Sequence, residues 1–510
     1  MKHHLNRRSF LGLSVAATAA AALAACTPAP AKTTPTTGQG TRILPTDPLV
    51  AEYEARRAAT GKTVTKTLTP APFSTTLAGK KVTTWGYDGA LVAPTLRGTA
   101  GDQLDVTVAN KLTEGTSIHW HGLAMRNNDD GVPGLTQEAI GAGKDYPYTF
   151  KLPHPGTYWY HSHVEMQRER ALYGALVIED PKEPLKYDRD WVIVLDDWLD
   201  GVTGTPDGTL KELAQGMGGM GGMSHGSGGM GSGGMLMGAT SEFLGGDAGD
   251  VAYPFHLFNG RDPGNPETVE ATAGERIRLR IINAAGDTAY RVGVPGQKLT
   301  LTHTDGFPVQ HTEVDAAVLG MGERIDALLT VRDGYTPVLA LAEGKGQMAY
   351  GLLSTGAGTA PALGSLPKTL EGTVVDGGQL AADPSVTLAS KKPDRTHEVR
   401  LTGGMMSYDW GINDARFDMA NPFENAFGLK AGERVEVKFT NETMMWHPMH
   451  IHGHTFQVGA AGARKDTVIV RPMQTVTVYF DADNPGQWLF HCHNAYHAER
   501  GMMGVFSYTK

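Results

Sequence analysis

Thr99-Ala100-Gly101-Asp102-Gln103-Leu104-Asp105-Val106-Thr107-Val108-Ala109-Asn110 decides the fold, because the chain writes this pattern three times. Thr272-Ala273-Gly274-Glu275-Arg276-Ile277-Arg278-Leu279-Arg280-Ile281-Ile282-Asn283 is the second copy. Lys430-Ala431-Gly432-Glu433-Arg434-Val435-Glu436-Val437-Lys438-Phe439-Thr440-Asn441 is the third. Each opens on a glycine turn and an acidic residue, alternates polar with apolar side chains, and ends on Asn. Alternation of this kind buries one face of a β-strand and wets the other. The glycines stand 173 and then 158 residues apart, the size of a β-sandwich domain, so three similar domains are expected.

Outward from these strands the rest agrees. Short runs rich in Val, Thr, Leu and Tyr, such as Trp191–Leu195, Leu299–His303 and Thr475–Phe480, are broken by Gly, Pro, Asn and Asp. Few helices are expected; Val50 to Ala59 is one candidate. The expected fold class is all-β, an antiparallel sandwich architecture. At 510 residues, 40% hydrophobic and 19% charged, the chain can fill several cores. Its net charge of −9 and the absence of a basic stripe exclude nucleic acid as a partner.

The N-terminus reads as an export signal. Arg7-Arg8-Ser9-Phe10-Leu11 is a twin-arginine (Tat) pattern, followed by an apolar run to Ala25. Leu23-Ala24-Ala25-Cys26 resembles a bacterial lipobox. The run is short for a membrane span, which takes about 20 residues. The expectation is cleavage before Cys26, lipidation of that cysteine, a Pro/Thr/Ala tether after it, and a lipid-anchored protein in the periplasm or on the cell surface. The chain has 2 cysteines. Assigning Cys26 to the anchor leaves Cys492 without a disulfide partner.

Cys492 sits between two histidines, inside a second repeat. Pro155-Gly156-Thr157-Tyr158-Trp159-Tyr160-His161-Ser162-His163 aligns without a gap on Pro485-Gly486-Gln487-Trp488-Leu489-Phe490-His491-Cys492-His493. His119-Trp120-His121-Gly122 likewise matches His450-Ile451-His452-Gly453. The middle third lacks both motifs, so its expected task is to separate the outer two or help them close. Side chains two apart on a strand share a face, so each His-x-His pair can offer two imidazoles to one site. Imidazole suits copper, zinc, iron or nickel. A single zinc takes four ligands; eight imidazoles suit a cluster of several metals at a domain interface. Cys492 points away from the face of His491 and His493, where it can meet His447, with His497 and Met502 just beyond. Two histidines, a cysteine and a weak axial methionine make a blue-copper electron-transfer site. Backbone bonds then join its sulfur to two cluster ligands.

These motifs together resemble the four copper motifs of the multicopper oxidases. The resemblance covers most of the chain after about Lys62 and implies three cupredoxin-like Greek-key β-sandwich domains in tandem. The expected boundaries are 1–25 for the signal, 26–60 for tether and linker, then domains over 61–183, 184–365 and 366–510. It implies four copper ions. His447, Cys492, His497 and Met502 would bind type 1 copper; His119 and His450 type 2; His121, His161, His163, His452, His491 and His493 the type 3 pair. Asp130, followed by Gly131, resembles the family's aspartate near type 2 copper and is expected to relay protons. Many bacterial relatives place a glutamate directly after the last motif histidine. Ala498 stands there instead, with Glu499 next, so the second proton donor is left open.

The resemblance implies dioxygen as acceptor and leaves the donor to other residues. Gly216 to Gly238, an insertion in the middle domain, holds Met217, Met220, Met223, Met230, Met235 and Met237 with His225. Thioethers favour Cu(I). Met444 and Met445 precede His447. Cuprous oxidases often carry an aspartate four residues before that histidine; here Thr443 stands there, beside Glu442. Glu442, Met444 and Met445 are therefore candidates for binding substrate copper. The expected function is oxygen-dependent oxidation of Cu(I) in copper tolerance. A laccase acting on phenols or aromatic amines is the alternative. A non-catalytic copper-sequestering protein is a third, disfavoured by the complete ligand set, and a copper nitrite reductase fits the three-domain pattern poorly.

Overall fold

The computed structural model describes residues 40–216 and 234–510. The signal, Cys26, Met217, Met220, Met223, His225 and Met230 lie outside the described residues.

The repeated segment is a strand in all three places. In the first copy, Gln103–Ala109, Leu104, Val106 and Val108 are buried and the residues between them half-buried. It pairs parallel with Thr63–Leu68 and antiparallel with Asp145–Lys151. A second sheet, ordered Ala93–Thr99, Tyr173–Glu179, Gly156–His161, His119–His121, carries two of the histidine motifs. Trp120, Tyr148, Phe150 and Tyr160 fill the space between them. Each such side chain removed from water contributes roughly 1.5–3 kcal/mol.

The second copy, Arg276–Asn283, lies in the first of two six-stranded sheets of the middle sandwich. Here the alternation does not leave one face wet. Arg278 and Arg280, 2% and 1% exposed, are covered where this sheet meets the amino-terminal sandwich. Arg278 pairs with Asp326 at 2.6 Å and Arg280 with Asp190 at 2.6 Å, while Thr157 of the first sandwich donates to Asp326 at 3.0 Å. Buried charge is tolerated because it is paired and hydrogen-bonded. The third copy, Arg434–Asn441, belongs to a six-stranded sheet backed by five strands: Phe427–Leu429, Met503–Tyr508, Gln487–Cys492, His447–Ile451 and Thr467–Val470.

The early helix spans Pro48–Ala55, starting two residues before the expected one and ending four earlier. Asp47 caps it by accepting from Leu49 N, and Pro48 fits the first turn, where no N–H is needed. It lies in the stretch expected to be linker, whose described part is packed. Ile43 N donates to Tyr508 O and Lys510 N to Thr41 O, both at 2.9 Å. Glu54 accepts from Lys151 N at 3.0 Å. Among the described residues no helix is long and apolar enough to cross a membrane.

Candidate metal centre

The two His-x-His motifs of each outer sandwich lie on neighbouring antiparallel strands. His119 is opposite His161, and His450 is opposite His491. The two sandwiches then face each other through stacked imidazoles. The rings of His119 and His452, and those of His121 and His450, are 3.8 Å apart between centroids. His163 is half-buried and the other seven rings are buried.

Most of these rings have one nitrogen tied down and one left bare. The Nδ1 atoms of His119 and His450 donate to the backbone oxygens of Asp130 and Asp466 at 2.9 Å. Those of His161 and His491 donate to Ser162 O and Cys492 O at 2.8 Å. His452 Nδ1 donates to Asp130 Oδ2 at 2.9 Å. A proton fixed on Nδ1 leaves the Nε2 lone pair facing inward. The inward Nε2 atoms of His119, His161, His163 and His450 are buried without a hydrogen-bond partner, as are both nitrogens of His493. His121 is reversed: its Nε2 lies 3.1 Å from Asp466 Oδ1 and its Nδ1 is bare. Buried polar atoms are almost always satisfied, and this many lone pairs converging at one interface fit metal ions. Burial pushes His121, His161, His163, His450, His452, His491 and His493 below the usual imidazole range, which keeps them neutral and ready to bind metal.

Two buried carboxylates frame the cluster. Asp130 is 1% exposed and touches His119 and His452, one from each outer sandwich. Its position depends on Gly131, at φ +81°: a Cβ there would stand 1.8 Å from Ile118 O, on the segment leading into His119. The opposite side belongs to Asp466, which sequence reading did not single out. Arg324 of the middle sandwich grips it with two bonds of 2.7 Å. Arg324 and Asp466 are fully buried. The middle sandwich thus helps the outer two close.

The sulfur centre lies on the other face of the same strand. Cys492 Sγ is 3.6 Å from His447 Nδ1 and 3.8 Å from His497 Nδ1. Met502 is fully buried in the same core, and its backbone oxygen accepts from Cys492 N at 3.0 Å. The two imidazoles differ at their outer nitrogens. His447 Nε2 meets the Thr443 hydroxyl at 2.8 Å. His497 Nε2 donates to Asp250 Oδ2 at 2.9 Å, and Tyr408 OH donates to the same oxygen at 2.6 Å. Trp410 lies over His497, ring centroids 4.1 Å apart. Asp250, Tyr408 and Trp410 are distant in sequence from every motif, and no local pattern marks them.

The substrate-copper candidates scatter. Met444 is 74% exposed and Met445 3%. Glu442 is paired with Arg400 at 3.0 Å on the surface. Met235 is buried and Met237 exposed. Ala498 and Glu499 both line a small cavity with His163, Arg168 and His491. Burial lifts the Glu499 carboxyl to about 7 against the opposing pull of Arg168.

Comparison with known proteins agrees with this geometry. Multicopper oxidase family models match residues 72–183, 189–350 and 390–510. The chain is 43% identical to multicopper oxidase MmcO of Mycobacterium tuberculosis, over 99% of this chain and 97% of that protein. It is 28% identical to copper resistance protein A of Escherichia coli, over 81% of this chain and 87% of that one. A solved multi-copper oxidase from Pseudomonas thermotolerans superimposes with a TM-score of 0.64 at 28% identity, covering 88% of this chain and 99% of its own. With matches of this extent laid over converging imidazoles and a buried thiol, the chain belongs to the multicopper oxidases and is a copper-dependent oxidoreductase.

Proposed function

We propose that the protein oxidises Cu(I) one electron at a time, passes four electrons to dioxygen to form water, and thereby confers copper tolerance. One observation carries the choice of donor. Of seven large apolar side chains exposed among the described residues, five are methionines: Met237, Met406, Met419, Met444 and Met473. Thioethers facing water are soft ligands for a monovalent soft cation. The Met217–Met237 stretch adds more of them, and several relatives carry the name copper resistance protein A.

In this reading four copper ions are held in three cupredoxin-like domains over 61–183, 184–365 and 366–510. His447, Cys492, His497 and Met502 hold type 1 copper, and His119 and His450 type 2. His121, His161, His163, His452, His491 and His493 hold the type 3 pair. When bound, the ions supply electron storage and the four-electron reduction of dioxygen. The chain supplies the rest. Cys492 links by backbone to His491 and His493, giving electrons a bonded route between the two centres. Asp130 holds the Nδ1 protons of His119 and His452 and is placed to pass protons on at Oδ2. Asp466, fixed by Arg324, turns His121 so that Nδ1 faces inward. Glu499 supplies a carboxyl beside His163 and His491 in the place Ala498 leaves vacant. Export through the twin-arginine route and anchoring at Cys26 rest on the leader motif.

The test is oxygen uptake by the copper-loaded protein with Cu(I) as sole donor, beside a variant lacking residues 217–237, with a phenolic donor in parallel. Slower Cu(I) oxidation in the deletion, with phenol turnover held or raised, supports the reading. Cu(I) oxidised no faster than background while phenols turn over would make the protein a laccase.

A further inference from the structure

Away from both metal centres lies a cavity of about 640 Å³, within the range of about 300–1,000 Å³ usual for small-molecule sites. His154 and Ile178 of the amino-terminal sandwich line it, with Arg276 and Phe307 of the middle one. The stretch 383–386 closes it, held by Arg464 of the third sandwich, which donates to Val386 O at 3.2 Å. The walls are apolar: Ile178, Leu185, Phe307, Pro308, Val309 and Val386. None of the copper-ligand residues reaches it.

Most of the charge around this cavity is already committed. Arg278 pairs with Asp326 and Glu183, both at 2.6 Å, and Arg280 with Asp190 at 2.6 Å. Asp180 accepts from Lys182 N at 2.8 Å, and Asp383 from Ser385 N at 2.9 Å and its hydroxyl at 2.6 Å. Burial pushes His154 down to about 3 and His303 to about 4, so both rings are neutral. Two lining side chains are left over. Arg276 and Lys186 are exposed and make no side-chain hydrogen bond or ion pair among the described residues. The uncommitted charge is therefore positive. The histidines here do not converge on one point as the copper ligands do, so an organic anion suits the cavity better than a metal ion.

The same cavity has a physical connection to the copper cluster. The His154 ring packs on Phe307, centroids 4.9 Å apart. Its Nδ1 donates to Tyr158 OH at 2.6 Å, and that hydroxyl donates to Pro155 O at 3.1 Å. The Arg324 guanidinium lies over the Tyr158 ring, 5.4 Å from its centroid. Arg324 in turn grips Asp466, the partner of His121.

We propose that this cavity is a second ligand site, taking a small aromatic carboxylate, and that the bound molecule steadies the Arg324–Asp466 clamp on the cluster. Phe307 and His154 offer ring contacts, and Arg276 and Lys186 meet the carboxylate. A molecule seated there touches residues of the first two sandwiches and the segment that the third one holds. The site stands whichever donor the oxidase takes.

Biphenyl-4-carboxylate is the probe and neutral biphenyl-4-methanol its control, both titrated calorimetrically into the copper-loaded full chain. One carboxylate should bind per chain. Arg276→Gln/Lys186→Gln should weaken it about ten-fold, as should the change to the alcohol. Val386→Trp should fill the space and abolish binding. Intensity of the Cys492 thiolate band reports whether each variant is folded and loaded. Saturating probe should slow copper loss to a chelator about two-fold or more. His154→Phe should bind the probe and lose that slowing. No binding by the unsubstituted protein overturns the inference, as does binding that survives both the charge and the filling variants. Equal affinity for the alcohol overturns the anion assignment. Copper loss that the probe leaves unchanged, or slows equally in His154→Phe, overturns the link to the clamp.

Discussion

The amino-terminal sandwich carries, position for position, a polar copy of the sulfur centre. The gapless alignment places Thr116 on His447, Ser162 on Cys492, Gln167 on His497 and Leu172 on Met502. The backbones agree: Ser162 N donates to Leu172 O at 2.9 Å, as Cys492 N does to Met502 O at 3.0 Å. Where one sandwich brings a thiol to two imidazoles, the other brings two hydroxyls to an amide. Thr116 and Ser162 both donate to Gln167 Oε1 at 2.8 Å, all three buried. One scaffold therefore offers the same inward-facing positions twice, and side-chain chemistry alone decides whether they can take a metal. The hydroxyl–amide set satisfies itself; the thiol and imidazoles meet at 3.6–3.8 Å, weak contacts that a soft ion would replace.

The largest expected effect comes from making the two sites alike. Cys492→Ser should abolish the thiolate absorption band and oxygen uptake with every donor, while the far-ultraviolet spectrum holds; retained uptake would mean electrons enter elsewhere. The reverse graft, Thr116→His with Ser162→Cys, Gln167→His and Leu172→Met, should add one copper per chain and raise the thiolate band. If metal analysis shows no extra copper, the likeness is confined to the backbone. Asp466→Asn should lower copper occupancy or activity about 10–100-fold through the freed His121, measured by metal content after dialysis; an unchanged content would remove Asp466 from the centre. The copper-free protein should lose stability as pH falls below about 6.5. Its cluster histidines are held neutral in the folded state, so the unfolded chain gains protons first, and a melting temperature flat between pH 7 and 5 would contradict this. Smallest, Thr116→Val should cost about 1 kcal/mol by removing one buried hydrogen bond and leave copper content unchanged, read by denaturant melts and metal analysis.

What the sequence disclosed follows the range of the interactions. The strands were legible because alternation is local, and the histidine motifs because two residues on one strand share a face. Arg278 and Arg280 broke the alternation, since a second sandwich covers the face that would otherwise be wet. Asp466 escaped notice because its meaning depends on Arg324, 142 residues away. Asp250 reaches His497 across 247 residues and lies in a loop with no periodic signal. Thr116 and Gln167 could have been found by extending the repeat a few residues past its histidines in each direction.

Asp130 touches His119 and His452, side chains more than three hundred residues apart. Contacts of this separation close very large loops. The ligand set therefore exists only when both outer sandwiches are present and joined, and a partly made chain has no place to hold the cluster metals. Metal loading then becomes a timing signal: ions reach the cluster once the ends of the chain have met, and they fasten that meeting after the fact.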